Sequence, residues 1–165
     1  MLVLILAVFI TASDQITKYM IRLSFGLSES RVMIDGFFNL TYLRNTGAAW
    51  GLLSGHNIWL GLLSIVVLIL MIVFRRSFLS NVNEHKVAFA CLIGGITGNL
   101  IDRLRLGYVT DFLDFHVNGH SWPSFNIADA AICIGVGIYI LSSFWLTSHP
   151  LRENGKEKKE ESPEL

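Results

Sequence analysis

Charge is scarce in this chain: 13 Lys and Arg and 13 Asp and Glu among 165 residues make only 16% of the sequence charged, with a formal net charge of zero. No stripe of basic residues with interleaved aromatics occurs anywhere, which argues against a nucleic-acid partner. Cysteine is nearly absent. Cys91 and Cys133 each stand inside an apolar stretch without a local partner, so they read as small hydrophobes rather than as a disulfide, a metal pair or a nucleophile beside histidine.

Apolar residues fill the space that charge leaves, at 52% of the chain, which places the protein in the membrane class as a single domain spanning 1–148. The apolar stretches are Met1 to Ser13, Ile58 to Phe74, Val87 to Ile101 and Ala130 to Ser148. A helix crossing ~30 Å of hydrocarbon needs about 20 residues. The runs therefore predict four transmembrane helices at approximately 1–23, 57–74, 87–104 and 124–146, the first and third reaching full length by taking in Asp14, Gln15 and Lys18, or Asn99, Asp102 and Arg103. Met1 to Ser13 also fits the apolar region of a secretory signal peptide. It lacks a cationic leader, however, and Asp14 and Lys18 continue one helical face one turn apart.

Between the first two runs the period changes. Phe38, Leu40 and Tyr42 alternate with Asn39, Thr41 and Leu43 after an Asp35-Gly36 turn, which predicts a β-hairpin or small sheet over about 31–50, a surface cradle able to pair with an extended peptide. The segment Leu104 to Trp122 is expected to be a loop, and the Trp122-Pro123 pair suggests that the last helix starts near Pro123. From that start Asp129 would lie about 9 Å along the helix. The charged segment 149–165 is expected to be a disordered tail.

Arg75, Arg76 and Lys86 crowd the short link between the second and third runs and mark it as cytoplasmic, which puts both termini on that side. All six aspartates then fall on the outer side, joined by Glu29 alone of the glutamates. An ionised aspartate within a transmembrane helix costs on the order of 2.5 to 3.5 kcal/mol at its centre, so acids gathered at one depth invite a functional reading. Two adjacent carboxylates share one proton, and such a pair can activate a water with one member while the other protonates a leaving group. Asp111 and Asp129 are the candidates for that dyad, without a covalent intermediate, metal or other cofactor.

Competing chemistries use the same region. A Ser-Lys dyad would draw on Lys18 with Ser13 or Ser24, although Asp14 one turn away would hold the lysine charged. A metal site would need His116 and His120 with Asp111 or Asp114 on a helix, and Gly119 and Pro123 argue for a loop there. An ion-coupled transporter would also carry intramembrane Asp, Lys and Arg, but would place some of them near the midplane or on both sides. A structural assembly subunit would leave Asp129 unexplained.

The motifs Asp14 to Lys18, Arg44-Asn45-Thr46-Gly47-Ala48-Ala49, Gly94-Gly95 to Asn99, Asp102-Arg103, Val109-Thr110-Asp111-Phe112 and Phe125-Asn126-Ile127-Ala128-Asp129 occur in one order along the chain. Together they make the sequence resemble the bacterial lipoprotein signal peptidases, signal peptidase II. The resemblance implies an all-α integral membrane aspartic endopeptidase with four helices and a periplasmic β-cradle. Its substrates would be diacylglyceryl-modified prolipoproteins, cleaved before the lipidated cysteine, and its partners membrane lipids and globomycin-type cyclic peptide inhibitors. It implies residence in the bacterial cytoplasmic (inner) membrane with the active site on the periplasmic side. Carried over by motif, Asp111 and Asp129 would be catalytic, while Asn45, Asn99, Arg103, Asn126, Asp14 and Lys18 would bind substrate. Two departures are a short N-terminus and Trp50 where the family pattern suggests Phe.

Overall fold

The computed structural model describes residues 1–48, 52–79, 82–117 and 120–148, so Trp50, Gly119 and the segment 149–165 lie outside it. Five helices and four strands follow in the order α1 (Leu2–Ser24), β1 (Ser30–Ile34), β2 (Phe38–Asn45), α2 (Asn57–Val73), α3 (Arg75–Phe78), α4 (Asn83–Leu106), β3 (Val109–Val117), β4 (His120–Ser121) and α5 (Ile127–Ser148). Among the described residues, three helices, α1, α4 and α5, are long and apolar enough to cross a membrane. The apolar α2 has 17 residues, about 25 Å at 1.5 Å per residue.

Helix α4 is the centre of the bundle, packing against α1 on one side and α5 on the other, with α2 laid against it as well. Glycines make the approach close. A Cβ on Gly94 would meet the Ala7 carbonyl oxygen at 2.8 Å, and one on Gly95 would meet the Ala128 carbonyl oxygen at 2.5 Å. The corresponding point on α5 is Gly135, whose Cβ would lie 2.9 Å from the Ala88 carbonyl oxygen. Without water to drive apolar surfaces together, contacts of this kind and interhelical hydrogen bonds hold a membrane bundle. Thr11 Oγ1 supplies one such bond, donating to the Gly94 carbonyl at 3.0 Å.

The sheet is antiparallel in the order β1-β2-β3-β4. Its first hairpin turns at Asp35-Gly36, where Gly36 takes φ 68°, and the Phe37 amide bonds the Ile34 carbonyl at 3.1 Å. The expected loop Leu104 to Trp122 is corrected here. Gly107, in the left-handed conformation, closes α4, and the chain then enters β3, which pairs with β2 through Phe38↔Phe115, Leu43↔Asp111 and Asn45↔Val109. The cradle is thus assembled from two distant stretches rather than from the α1–α2 connection alone.

Ile21, Tyr42 and Phe112 form a buried cluster that fixes the sheet to the end of α1. On the other face of β3, Phe115 stacks between Phe38 and Phe125, at 4.7 and 5.7 Å between ring centroids. Phe125 is bridged to Leu113, and this delays the last helix to Ile127 instead of the expected Pro123. Asp129 therefore sits in the first turn of α5, at the bundle's end, and not about 9 Å along the helix.

Candidate active site

Among the described residues, the buried polar side chains of the bundle other than His85 gather at one end, where the C-terminal halves of α1 and α4 meet the start of α5 and the base of β3. Four elements converge there. Helix α5 begins with a reciprocal cap: the Asn126 side-chain oxygen accepts the Asp129 amide at 3.0 Å, and the Asp129 carboxylate accepts the Asn126 amide at 3.2 Å. This is a capping box with Asp in the place usually taken by Glu or Gln. The next free amide of that turn, on Ala128, donates to Asp14 Oδ1 from α1 at 2.9 Å. Two of the otherwise unpaired N–H groups at the helix start are thereby satisfied, one of them by a residue from the opposite end of the sequence.

Asp111 arrives from β3. Its two oxygens accept Asn126 Nδ2 at 2.7 Å and Asn45 Nδ2 at 2.9 Å, so one amide comes from the head of α5 and the other from the end of β2. Burial and the neighbouring Asp129 charge raise its carboxyl to about 7, against the smaller opposing pull of the two amides. Asn99 on α4 completes the ring, donating its Nδ2 to Asp129 Oδ1 at 2.7 Å. Asn126 thus touches both aspartates, holding Asp111 by its side chain and Asp129 by its cap.

Beneath the ring lies a buried ion cluster. Lys18 Nζ is 2.8 Å from Asp14 Oδ2 and 3.5 Å from Asp102 Oδ2, and it donates to Asn99 Oδ1 at 2.8 Å. Asp102 in turn accepts the Thr110 amide at 2.9 Å, and Arg22 donates to Thr110 Oγ1 at 2.9 Å. Both contacts pin β3 at the residue just before Asp111. A Cβ on Gly98 would fall 2.6 Å from Asp14 Oδ2, so glycine is what lets α4 pass over this carboxylate.

The aspartates open onto a cavity of about 880 Å³. Its walls carry Asp111, Asp129, Asn45, Asn99 and Arg103 as polar groups among apolar Leu43, Val109, Phe125 and Ile132. Arg103 reaches the Gly47 carbonyl with Nη2 at 3.3 Å, while its buried Nε has no hydrogen-bond partner among the described residues. A large apolar pocket with a few convergent polar groups has the composition of a ligand site.

Of the eight residues singled out from sequence, five line this cavity. Asp14, Lys18 and Asn126 do not, and their side chains are fully buried. These three bond to groups of the cavity wall and of the start of α5. Asp102, Thr110 and Gln15 belong to the same network; Asp102 and Gln15 carry the signal of polar residues on apolar helices, and Thr110 stands only within a motif. Gln15 Nε2 bonds the Gly98 carbonyl at 3.0 Å and Asp102 Oδ1 at 3.2 Å. The rival sites do not assemble. His116 Nε2 lies 3.0 Å from Asp114 Oδ2 on a strand, not a helix, and no three His, Cys, Asp or Glu side chains converge among the described residues. The described partners of Lys18 are acids and an amide.

Such a bundle, with a cavity carrying paired carboxylates at one end, defines a multi-pass membrane protein built like known membrane enzymes. Two solved structures, each described as a bacterial membrane enzyme determined by the in meso method, superpose on it. One has a TM-score of 0.85 and 36% identity, covering 93% of this chain and 94% of that one. The other has a TM-score of 0.77 and 38% identity, covering 86% and 91%. The family model "Signal peptidase (SPase) II" matches residues 6–145. Similar relatives are the lipoprotein signal peptidase of Moorella thermoacetica, 42% identical over 160 residues with 93% of this chain and 97% of that one covered, and that of Staphylococcus aureus strain JH9, 38% identical over 159 residues with 94% and 93% covered. The chain belongs to the signal peptidase II family, and it is a peptidase.

Proposed function

We propose that this protein is a membrane aspartic endopeptidase that removes signal peptides from diacylglyceryl-modified prolipoproteins, cleaving before the lipidated cysteine. The observation that carries this reading is the placement of Asp111 and Asp129 on the wall of one apolar cavity, tied together by Asn126. Water entering between them would lose a proton to Asp129, which lies in the first turn of α5 where the helix dipole favours negative charge. Asp111 holds the shared proton and gives it to the scissile carbonyl oxygen. The gem-diol then collapses as the proton on Asp129 passes to the leaving amine and one hydroxyl returns its proton to Asp111, which restores the pair without a covalent intermediate. The free Nε–H of Arg103, on the same cavity wall as Asn45, is suited to donate to substrate carbonyls.

The mostly apolar cavity favours a lipidated substrate over a bare peptide. In this reading α2 makes a fourth crossing, and the sheet lies on the periplasmic side of the inner membrane with both termini in the cytoplasm. Globomycin-type cyclic peptides would compete for the same cavity. The test is purified protein presented with the same prolipoprotein in lipidated and unlipidated forms. Wild type should cleave the lipidated form and Asp111→Asn and Asp129→Asn should not. Continued cleavage by both variants would end the dyad reading, and equal cleavage of the two substrates would end the lipid requirement.

A further inference from the structure

Lys18 is fully buried, yet it lies outside the cavity and cannot touch a substrate there. An ammonium has three donors and no acceptor. Whatever faces it must present oxygen, and on α4 that atom is Asn99 Oδ1, at 2.8 Å. Fixing that oxygen turns the other end of the amide, Nδ2, toward Asp129 Oδ1 at 2.7 Å. Were the Asn99 amide reversed, its NH2 would point at the ammonium and its oxygen at the carboxylate, and both contacts would be repulsive. Asn126 Nδ2 reinforces the same sense by donating to Asn99 Oδ1 at 3.2 Å.

We propose that Lys18 is a positioning residue for the reaction: through Asn99 it sets the direction of the hydrogen bond on Asp129, and its charge supplies part of the field in which the two aspartates share their proton. The inference rests on the dyad reading above. Charged groups surrounding Lys18 and the pair are Asp14 and Arg22 on α1, Asp102 and Arg103 on α4, Asp111 on β3 and Asp129 on α5. Lys18 is ion-paired with Asp14 and Asp102 and donates to Asn99, so its part is played through those contacts.

The test follows cleavage rates of a lipidated prolipoprotein across pH for wild type, for Lys18→Met and for Asp14→Asn. In Lys18→Met kcat should fall about 10- to 100-fold with KM within about twofold. Its alkaline limb should move up by about half a unit to one unit, because a cation near the carboxyls has been removed. Asp14→Asn leaves the cation less balanced and should move the limb down. A packing defect would lower activity without ordering the two limbs this way, and if one variant fails to fold the sign is read from the other. Limbs that stay within 0.2 unit of wild type, as an order-of-magnitude threshold on a one-unit effect, would overturn the proposal. Asp111→Asn and Asp129→Asn run beside them separate the two ideas. If those are dead while the limbs stay put, only the role of Lys18 fails; if they cleave, the dyad itself fails.

Discussion

Replacing Asn126 separates two duties that one side chain performs. Its oxygen caps α5, and its amide nitrogen bonds Asp111 at 2.7 Å and Asn99 at 3.2 Å. Serine is as good a cap as asparagine, whereas alanine costs about 1 kcal/mol at that position. Neither can reach Asp111. Both variants therefore lose a hydrogen bond to a buried carboxyl, about 1.5 to 3 kcal/mol, and Asn126→Ala loses the cap in addition. Unfolding in detergent should place Asn126→Ser roughly 2 kcal/mol below wild type and Asn126→Ala about 1 kcal/mol below that. Cleavage of lipidated prolipoprotein should fall alike in both, by about 100-fold or more, since the tie between the two aspartates is missing from each. If serine restored cleavage to near the wild-type rate, the bridge would be irrelevant to catalysis. If the two variants were equally stable, the capping role would be refuted.

Further outcomes follow from other parts of the site. With the Asp111 carboxyl raised to about 7, the pair keeps its one proton below that pH and loses it above. The measured kcat/KM should therefore fall on the alkaline side, approaching tenfold per pH unit, when initial rates are followed from acid to base. Gly98→Ala should destabilise by about 1 to 3 kcal/mol and displace Asp14, whose oxygen lies 2.6 Å from the added Cβ. Gly61→Ala on α2, with nothing within 4 Å of its Cβ, should be neutral or stabilise by up to about 1 kcal/mol in the same unfolding assay. Asp102→Leu removes the acceptor of the Thr110 amide and leaves Lys18 and Arg22 short of a partner, so it should cost about 3 to 5 kcal/mol in the same measurement.

Polar residues on apolar helices were the readable part of the site, because every charge in such a setting needs a partner. Asp14, Lys18, Asn99, Asp102 and Arg103 all announce themselves that way. The pattern does not say which of them face a cavity, and Asp14 and Lys18 turned out to be enclosed by α1, α4 and the start of α5. The hairpin was legible from its alternation and its Asp35-Gly36 turn, but β3 was not. Val109-Thr110-Asp111-Phe112-Leu113-Asp114-Phe115 breaks period two by placing apolar residues on both faces, since Phe112 packs on Ile21 and Tyr42 and Phe115 on Phe38 and Phe125. Its pairing partner is β2, far upstream, so no local signal could reveal it. The late start of α5 has the same origin, because Phe125 is held by that strand.

The cap that Asp14 places on Ala128 joins the first helix made to the last. During synthesis α1 enters the membrane while α5 has not yet been translated, so the aspartate pair does not exist for most of the protein's assembly. A chain stopped after Leu106 would hold Lys18 and Asn99 but neither aspartate of the pair. On the proposed dyad, hydrolytic capacity would be withheld until the whole bundle has been threaded and closed. The same junction makes the protein divisible: a fragment ending before Pro123 and a second one carrying α5 should each be silent, and should recover cleavage when expressed together in one membrane.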